Sequence, residues 1–229
     1  MRFLSRPEVL AKFEGKSVAI VGSGPGVLDN KAGFIDSHDI VVRINNFKNS
    51  SPTGERTDVF YSFFGTSIRK SKDELIGAGV KLCICKCPNG QPITSDWHIS
   101  HGKTLGIDFR YIYKRRATWW FCDTYIPTKD EFLEKFKLLN HHVPTTGFSC
   151  IQDILSFKPA DVYLTGFDFF RSGLHNVDEY WRPGDPRDPI GHVPERELQW
   201  LDENIDKYPI RVDPRLGREI RSVSGKKVA

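Results

Sequence analysis

An α/β domain with a mostly parallel sheet is the fold class this sequence predicts, and three observations carry the prediction. Short apolar runs recur, such as Ser17-Val18-Ala19-Ile20-Val21 and Asp58-Val59-Phe60-Tyr61-Ser62, as strands buried on both faces require. Segments with helical spacing alternate with them; Lys129 to Leu139 places Phe132, Leu133, Phe136 and Leu139 on one face. Third, Gly22-Ser23-Gly24-Pro25-Gly26 follows the first run at once and opens a short helix. Glycines there let the backbone turn tightly and approach a ligand, and a helix N-terminus offers N–H groups to an anion. The plainer alternative is a tight strand-to-helix turn with structural glycines.

Taken in order, Arg6 to Phe13 reads as a short helix leading into strand Ser17–Val21. Asp39 to Asn46 is the second strand, and its exit is informative. A dinucleotide-binding unit has Gly-x-Gly-x-x-Gly and an acidic residue ending strand two, to hold a ribose. Here the turn is Gly-x-Gly-x-Gly, and the strand ends in Arg43, Asn45 and Asn46. That favours a nucleotide other than NAD, unless Arg43 is merely a solvated end. Ser51-Pro52-Thr53-Gly54 is a turn. Asp58–Ser62 is the third strand, Ile68 to Ala78 a helix and Val80 to Cys87 the fourth strand. Pro88 to Thr128 has no clean period and reads as an insertion forming a lid or second lobe, with Leu105 to Tyr113 a candidate strand. Pro144-Thr145-Thr146-Gly147 opens a helix, Phe148 to Phe157, with hydroxyls suited to capping it. Ala160 to Gly166 is a buried strand, with Phe167 and Asp168 at its carboxyl end, where ligands collect in open α/β sheets. His192-Val193-Pro194-Glu195 starts the next helix, with Leu198, Leu201 and Ile205 inward, and Tyr208 to Val212 is a last strand. Residues 1–221 form one domain, and 222–229 read as a disordered tail.

The chain has 229 residues, 39% hydrophobic, which suits one sizeable core and not two nucleotide-binding domains. A net charge of +4 is too small and too dispersed for a nucleic-acid binder, so no nucleic-acid partner is expected. No apolar run is long enough for a transmembrane segment, and the N-terminus lacks the apolar stretch of a signal peptide. A cytoplasmic location is therefore expected, with peripheral membrane association left open. The five cysteines, Cys83, Cys85, Cys87, Cys122 and Cys150, are an odd count and read as reduced thiols. Alternate spacing puts Cys83, Cys85 and Cys87 on one strand face, unlike the Cys-x-x-Cys turn of zinc sites, so no metal is expected.

Several segments resemble the sialyltransferases of glycosyltransferase family 29. IDSHDIVVRIN followed by TGERTDVFYS is similar to the large sialyl motif. Pro144-Thr145-Thr146-Gly147, with Val162 to Phe167 after it, is similar to the small motif. His175 to Trp181 loosely resembles the third motif, and His192 with Glu197 the His-x-x-x-x-Glu motif. The bacterial family 42 enzymes share the Arg-x-Asn, Thr-x-Gly, Gly-x-Asp-Phe and Gly-His elements. Departures exist: Ser23 stands where the family usually has Asn, Ser62 where the bacterial enzymes place a ligand-binding Asn, and Ser17 where the first motif cysteine of the secreted enzymes would lie.

The resemblance implies a single Rossmann-like domain, a GT-A-like variant. It also implies an inverting, metal-independent transferase that moves an acidic keto-sugar, sialic acid or a Kdo-like sugar, from a CMP donor to a glycan acceptor. CMP-sugar is then a substrate, and no separate cofactor is implied. No Asp-x-Asp pair ends a strand, in agreement with metal independence. By the same resemblance Gly22, Ser23 and Gly24 approach the phosphate or ribose, and Asn45 holds the nucleotide. Thr145, Thr146 and Gly147 contact it from a helix N-terminus, and Gly166, Phe167 and Asp168 line the cytosine or ribose pocket. His175 donates to the departing phosphate. His192 is the general base, oriented by Glu195 or Glu197. Each has a plainer counterpart: a turn residue for Asn45, an ordinary cap for Thr145, a solvated loop histidine for His175, and a helix-opening residue for His192. Two other readings stay open: a CMP-binding, catalytically weak module of a polysaccharide-assembly complex, and an NAD enzyme, against which the absent acidic ribose ligand argues.

Overall fold

The computed structural model describes residues 2–31, 33–50, 53–64, 68–88, 121–171 and 192–224. Its elements run α1 (Arg6–Phe13), β1 (Ser17–Val21), β2 (Ile40–Ile44), β3 (Val59–Ser62), α2 (Lys72–Gly77), β4 (Leu82–Cys85) and β5 (Asp123–Tyr125). They continue as α3 (Lys129–Leu138), α4 (Thr146–Ser156), β6 (Asp161–Thr165), α5 (Pro194–Asn204), β7 (Ile210–Val212) and α6 (Pro214–Ser224). The expected short helix after the glycine turn is a 3-10 turn, Pro25–Asp29.

Among the described residues one sheet of seven strands holds the molecule, in the order β5-β4-β3-β2-β1-β6-β7. Every pairing is parallel. From β1 the chain builds outward to β5, then returns to the far side of β1 for β6 and β7. The order therefore reverses between β1 and β6, and the carboxyl ends of those two strands form the crevice where open α/β sheets bind ligands.

Strand alternation divides the apolar residues cleanly. Val18 and Ile20 of β1, Val42 of β2, Tyr61 of β3, Ile84 of β4 and Leu164 of β6 share one core with Phe13, Phe148, Ile151, Leu198 and Leu216 from the helices. On the other face Phe60, Cys83, Cys85 and Cys87 join Leu75, Phe132 and Phe136. The three cysteines thus share one face, as their spacing requires, and all five cysteines are buried and outside any disulfide. Both sides of the sheet are covered, which is the condition for an all-parallel sheet.

Capping residues set the helix starts. Ser71 and Thr128 each accept from the backbone N–H of a glutamate three residues on, Glu74 and Glu131, whose side chains reach back. Thr145 accepts from the N–H of Phe148 at 3.1 Å, so α4 begins at Thr146, two residues earlier than its apolar pattern implied. Tyr61, Lys135 and Asp153 form a buried polar junction in the main core: the Tyr61 hydroxyl donates to Asp153 at 2.6 Å, and the Lys135 ammonium lies 2.5 Å from the same carboxylate. Burial pushes the Asp153 carboxyl up, against the opposing pull of Lys135 and Tyr61.

Four sequence expectations need revision or fall outside the described residues. Asp123–Tyr125, inside the stretch read as an insertion, is the edge strand β5. Ser222 to Ser224, read as the start of a disordered tail, ends helix α6. The candidate strand Leu105 to Tyr113 and the third-motif segment His175 to Trp181 lie outside the described residues.

Candidate active site

The turns after β1 and β6 are built against each other. The Gly22 N–H donates to the Thr165 carbonyl at 2.8 Å, and the Gly24 N–H to the Gly166 carbonyl at 2.7 Å. A Cβ on Gly22 would stand 2.3 Å from the Gly166 oxygen, and one on Gly24 would stand 2.8 Å from it. Gly166 itself has φ +72°. These glycines are thus required first by the approach of two backbones. The buried Asp213, at the end of β7, secures this junction: its carboxylate accepts from the Gly166 N–H at 3.0 Å and from the Leu216 N–H at 2.8 Å, starting α6.

Above the junction opens a cleft. Gly22, Ser23 and Gly24 form one side, Asn45 and Asn46 the next, Thr145 and Gly147 the third, and Gly166 to Phe170 the last, with Glu197 behind Thr145. Asn45 is buried in the left-handed region, φ 51°. The Ser62 hydroxyl donates to its Oδ1 at 3.0 Å, which fixes the amide so that its NH₂ end is the donor. Phe169 and Phe170, with φ 50° and 62°, are also left-handed. Asp168 stabilises that bend by accepting from the Phe170 N–H at 3.0 Å. Three non-glycine residues in a sparsely populated region line one cleft, a pattern of functional sites.

Electrostatically the cleft is unusual for an anion. Among its described lining residues there is no Lys or Arg, and there are two carboxylates, Asp168 and Glu197. Positive potential comes instead from the N-terminal turn of α4, an 11-residue helix whose Thr145 and Gly147 face the space. Glu197 accepts from the Thr145 N–H at 2.6 Å and from its hydroxyl at 2.7 Å. Both bonds favour the ionised form. Burial works against it and dominates, so the carboxyl is pushed up to about 7. Arg43, at the end of β2, is fully buried and donates to the carbonyls of Arg56, Thr53 and Gly54, so it fastens a loop instead of ending in solvent.

His192 precedes α5, and its Nδ1 lies 2.8 Å from the Val143 carbonyl. A carbonyl only accepts, so Nδ1 carries the proton and Nε2 is the basic nitrogen. Among the described residues no group of three or more His, Cys, Asp or Glu side chains could hold a metal ion.

No protein-family model matches the sequence, and no curated protein does. Solved structures do match. The sialyltransferase CstII from Campylobacter jejuni, in complex with a substrate analogue, CMP-3FNeuAc, aligns over 86% of this chain and 81% of its own, at 17% identity and TM-score 0.56. Cst-I, a monofunctional alpha-2,3-sialyltransferase from the same organism, aligns over 93% and 78%, at 14% identity and TM-score 0.57. A mammalian sialyltransferase aligns over 86% and 69%, at 18% identity and TM-score 0.53.

This chain has the sialyltransferase fold.

On that fold, ten of the sequence-predicted residues come together around the cleft: Gly22, Ser23, Gly24, Asn45, Thr145, Gly147, Gly166, Phe167, Asp168 and Glu197. Thr146 is buried in the first turn of α4, next to the lining residues but not one of them. His192 is half-buried and is not among the residues that line the cleft; it bonds the Val143 carbonyl, two residues before the lining residue Thr145. Glu197 accepts from both the N–H and the hydroxyl of Thr145. His175 lies outside the described residues. Sequence reasoning missed Asp213 and Lys86. Asp213-Pro214 is a cap followed by Pro at the first helical position, a readable helix start. Nothing local marks Lys86, whose ammonium donates to the Pro144 carbonyl at 2.6 Å.

Proposed function

We propose that this chain is an inverting, metal-independent glycosyltransferase that moves an acidic keto-sugar, sialic acid or a Kdo-like sugar, from its CMP donor to a glycan hydroxyl. The observation that carries this reading is the convergence of three separate motif segments on one cleft: the Gly22–Gly24 turn, Asn45, and the Thr145–Gly147 helix start. The fold shared with sialyltransferases solved with CMP or a CMP-linked analogue supports it.

In this reading the Asn45 amide and the N–H groups of the first turn of α4 hold the nucleotide, and Phe167 packs beside it. A single phosphate leaves with the cytidine, so fixed hydrogen-bond donors suffice to stabilise its charge. His192 Nε2 takes the proton of the acceptor hydroxyl as the oxygen bonds to the anomeric carbon. The bond from that carbon to the phosphate oxygen breaks on the opposite side, and CMP departs with the electron pair. His175 donates to that phosphate. Attack opposite the leaving group inverts the configuration.

The test is release of CMP from CMP-sialic acid and from CMP-Kdo in EDTA, with and without glycan acceptors, followed by mass spectrometry. CMP release with at least one donor supports the reading. CMP binding without any release from either donor would support the catalytically weak module instead.

A further inference from the structure

Three consecutive backbone positions ahead of α4 are each gripped by a titratable side chain from elsewhere in the fold. The Val143 carbonyl accepts from His192 Nδ1 at 2.8 Å. The Pro144 carbonyl accepts from Lys86 Nζ at 2.6 Å. The Thr145 N–H and hydroxyl donate to the two oxygens of Glu197. Lys86 and Glu197 are 6% and 1% exposed, so these are interior charges and not surface decoration. Lys86 also reaches the other side of the cleft through its own backbone. Its N–H donates to the Ser62 carbonyl at 2.9 Å, and the Ser62 hydroxyl donates to Asn45.

We infer that Lys86 is a positioning residue of this site: it sets the first turn of α4 relative to Asn45. The inference rests on the CMP-sugar reading above. A buried ammonium is costly to desolvate, so its placement needs a compensating partner. The Pro144 carbonyl satisfies one of its donors, and the Glu197 carboxylate supplies opposite charge. Lys86 pulls the Glu197 carboxyl down, while burial and the neighbouring Glu195 push it up. Without Lys86, the Pro144 carbonyl would lose its anchor, and the first turn of α4 its fixed place relative to Asn45.

The experiment is calorimetric titration of CMP into the full chain and four variants: Lys86→Met, Lys86→Gln, Glu197→Gln and the double variant Lys86→Met with Glu197→Gln. Melting of each is recorded alongside. Lys86→Met should weaken CMP by roughly tenfold, within the range that coupled neighbours show. The double variant should bind better than the product of the two single losses, because Lys86 and Glu197 hold adjacent residues of one segment, Pro144 and Thr145. Lys86→Gln, which keeps a donor for Pro144, should fall between wild type and Lys86→Met. It carries the test if Lys86→Met does not fold. Unchanged CMP affinity in a folded Lys86 variant, or losses that simply multiply in the double variant, would overturn the assignment. Wild-type protein that takes up no CMP would overturn the function reading itself, and the role of Lys86 with it.

Discussion

Replacing Gly22 by alanine tests how the cleft floor is built. The new Cβ would stand 2.3 Å from the Gly166 carbonyl oxygen and 3.0 Å from its carbon. Neither neighbour is a side chain that can swing away. Gly166 is held from its other side too, by Asp213 on its N–H and by its own left-handed φ of +72°. The ends of β1 and β6 must therefore separate, breaking the 2.8 Å and 2.7 Å hydrogen bonds that join the two turns. Overpacking typically costs about 1–3 kcal/mol, and a backbone-on-backbone clash belongs at the upper end. For a chain of this size about 3 kcal/mol lowers the melting temperature by roughly 6–12 °C. Gly77→Ala in α2 is the control. Nothing lies within 4 Å of its added Cβ, and the helix gains from losing a glycine by about 0.5–1 kcal/mol. Thermal melts followed by circular dichroism should move the two variants in opposite directions. A Gly22→Ala protein melting within about 2 °C of wild type would refute the argument that these glycines serve strand-end closure.

Other outcomes follow from the same geometry. The Glu197 carboxyl is raised from its ordinary 4.5 to about 7, so the native state prefers the protonated form; its contribution to stability is present below about pH 4.5 and lost as pH rises through about 7. At about 1.4 kcal/mol per pH unit, wild type should lose about 3 kcal/mol relative to Glu197→Gln across that window, measured by urea unfolding of both; a difference that stays flat contradicts the assignment. Asp153→Ala leaves the Lys135 ammonium buried without its carboxylate and should cost about 3–5 kcal/mol, while Asp153→Leu combined with Lys135→Met should recover much of it in the same assay. His192→Ala should lower kcat by about 10²–10⁴-fold and leave CMP affinity nearly unchanged; near-normal turnover would move the base elsewhere.

The central part of this fold was legible because both strand burial and turn chemistry are local. Ser17–Val21 is an uninterrupted apolar run followed by glycines, and the structure places β1 there without a shift. Thr145 as a cap and Asp168 at a strand end were readable for the same reason. The edges were less legible. β5 is only three residues, Asp123–Tyr125, too short to show a period. α6 carries Gly217 in its interior and only three aliphatic residues, Leu216, Ile220 and Val223; their i, i+4, i+7 spacing is a clear helical pattern that a reading by apolar content overlooks, and Leu216 and Ile220 are buried. The dependence of Gly22 on Gly166, and of Pro144 on Lys86, joins residues far apart in sequence, and no local pattern encodes such a contact. The resemblance could align Glu197 with His192 in a motif, but only the folded geometry pairs Glu197 with Thr145.

The most direct test of the central claim is calorimetric titration of CMP and of NAD into wild type and Asn45→Gly. Glycine retains the left-handed backbone at position 45, φ 51°, and removes only the amide. The account predicts that CMP binds wild type, that Asn45→Gly binds it more weakly while melting close to wild type, and that NAD gives no heat of binding. Tight NAD binding with none for CMP would contradict it.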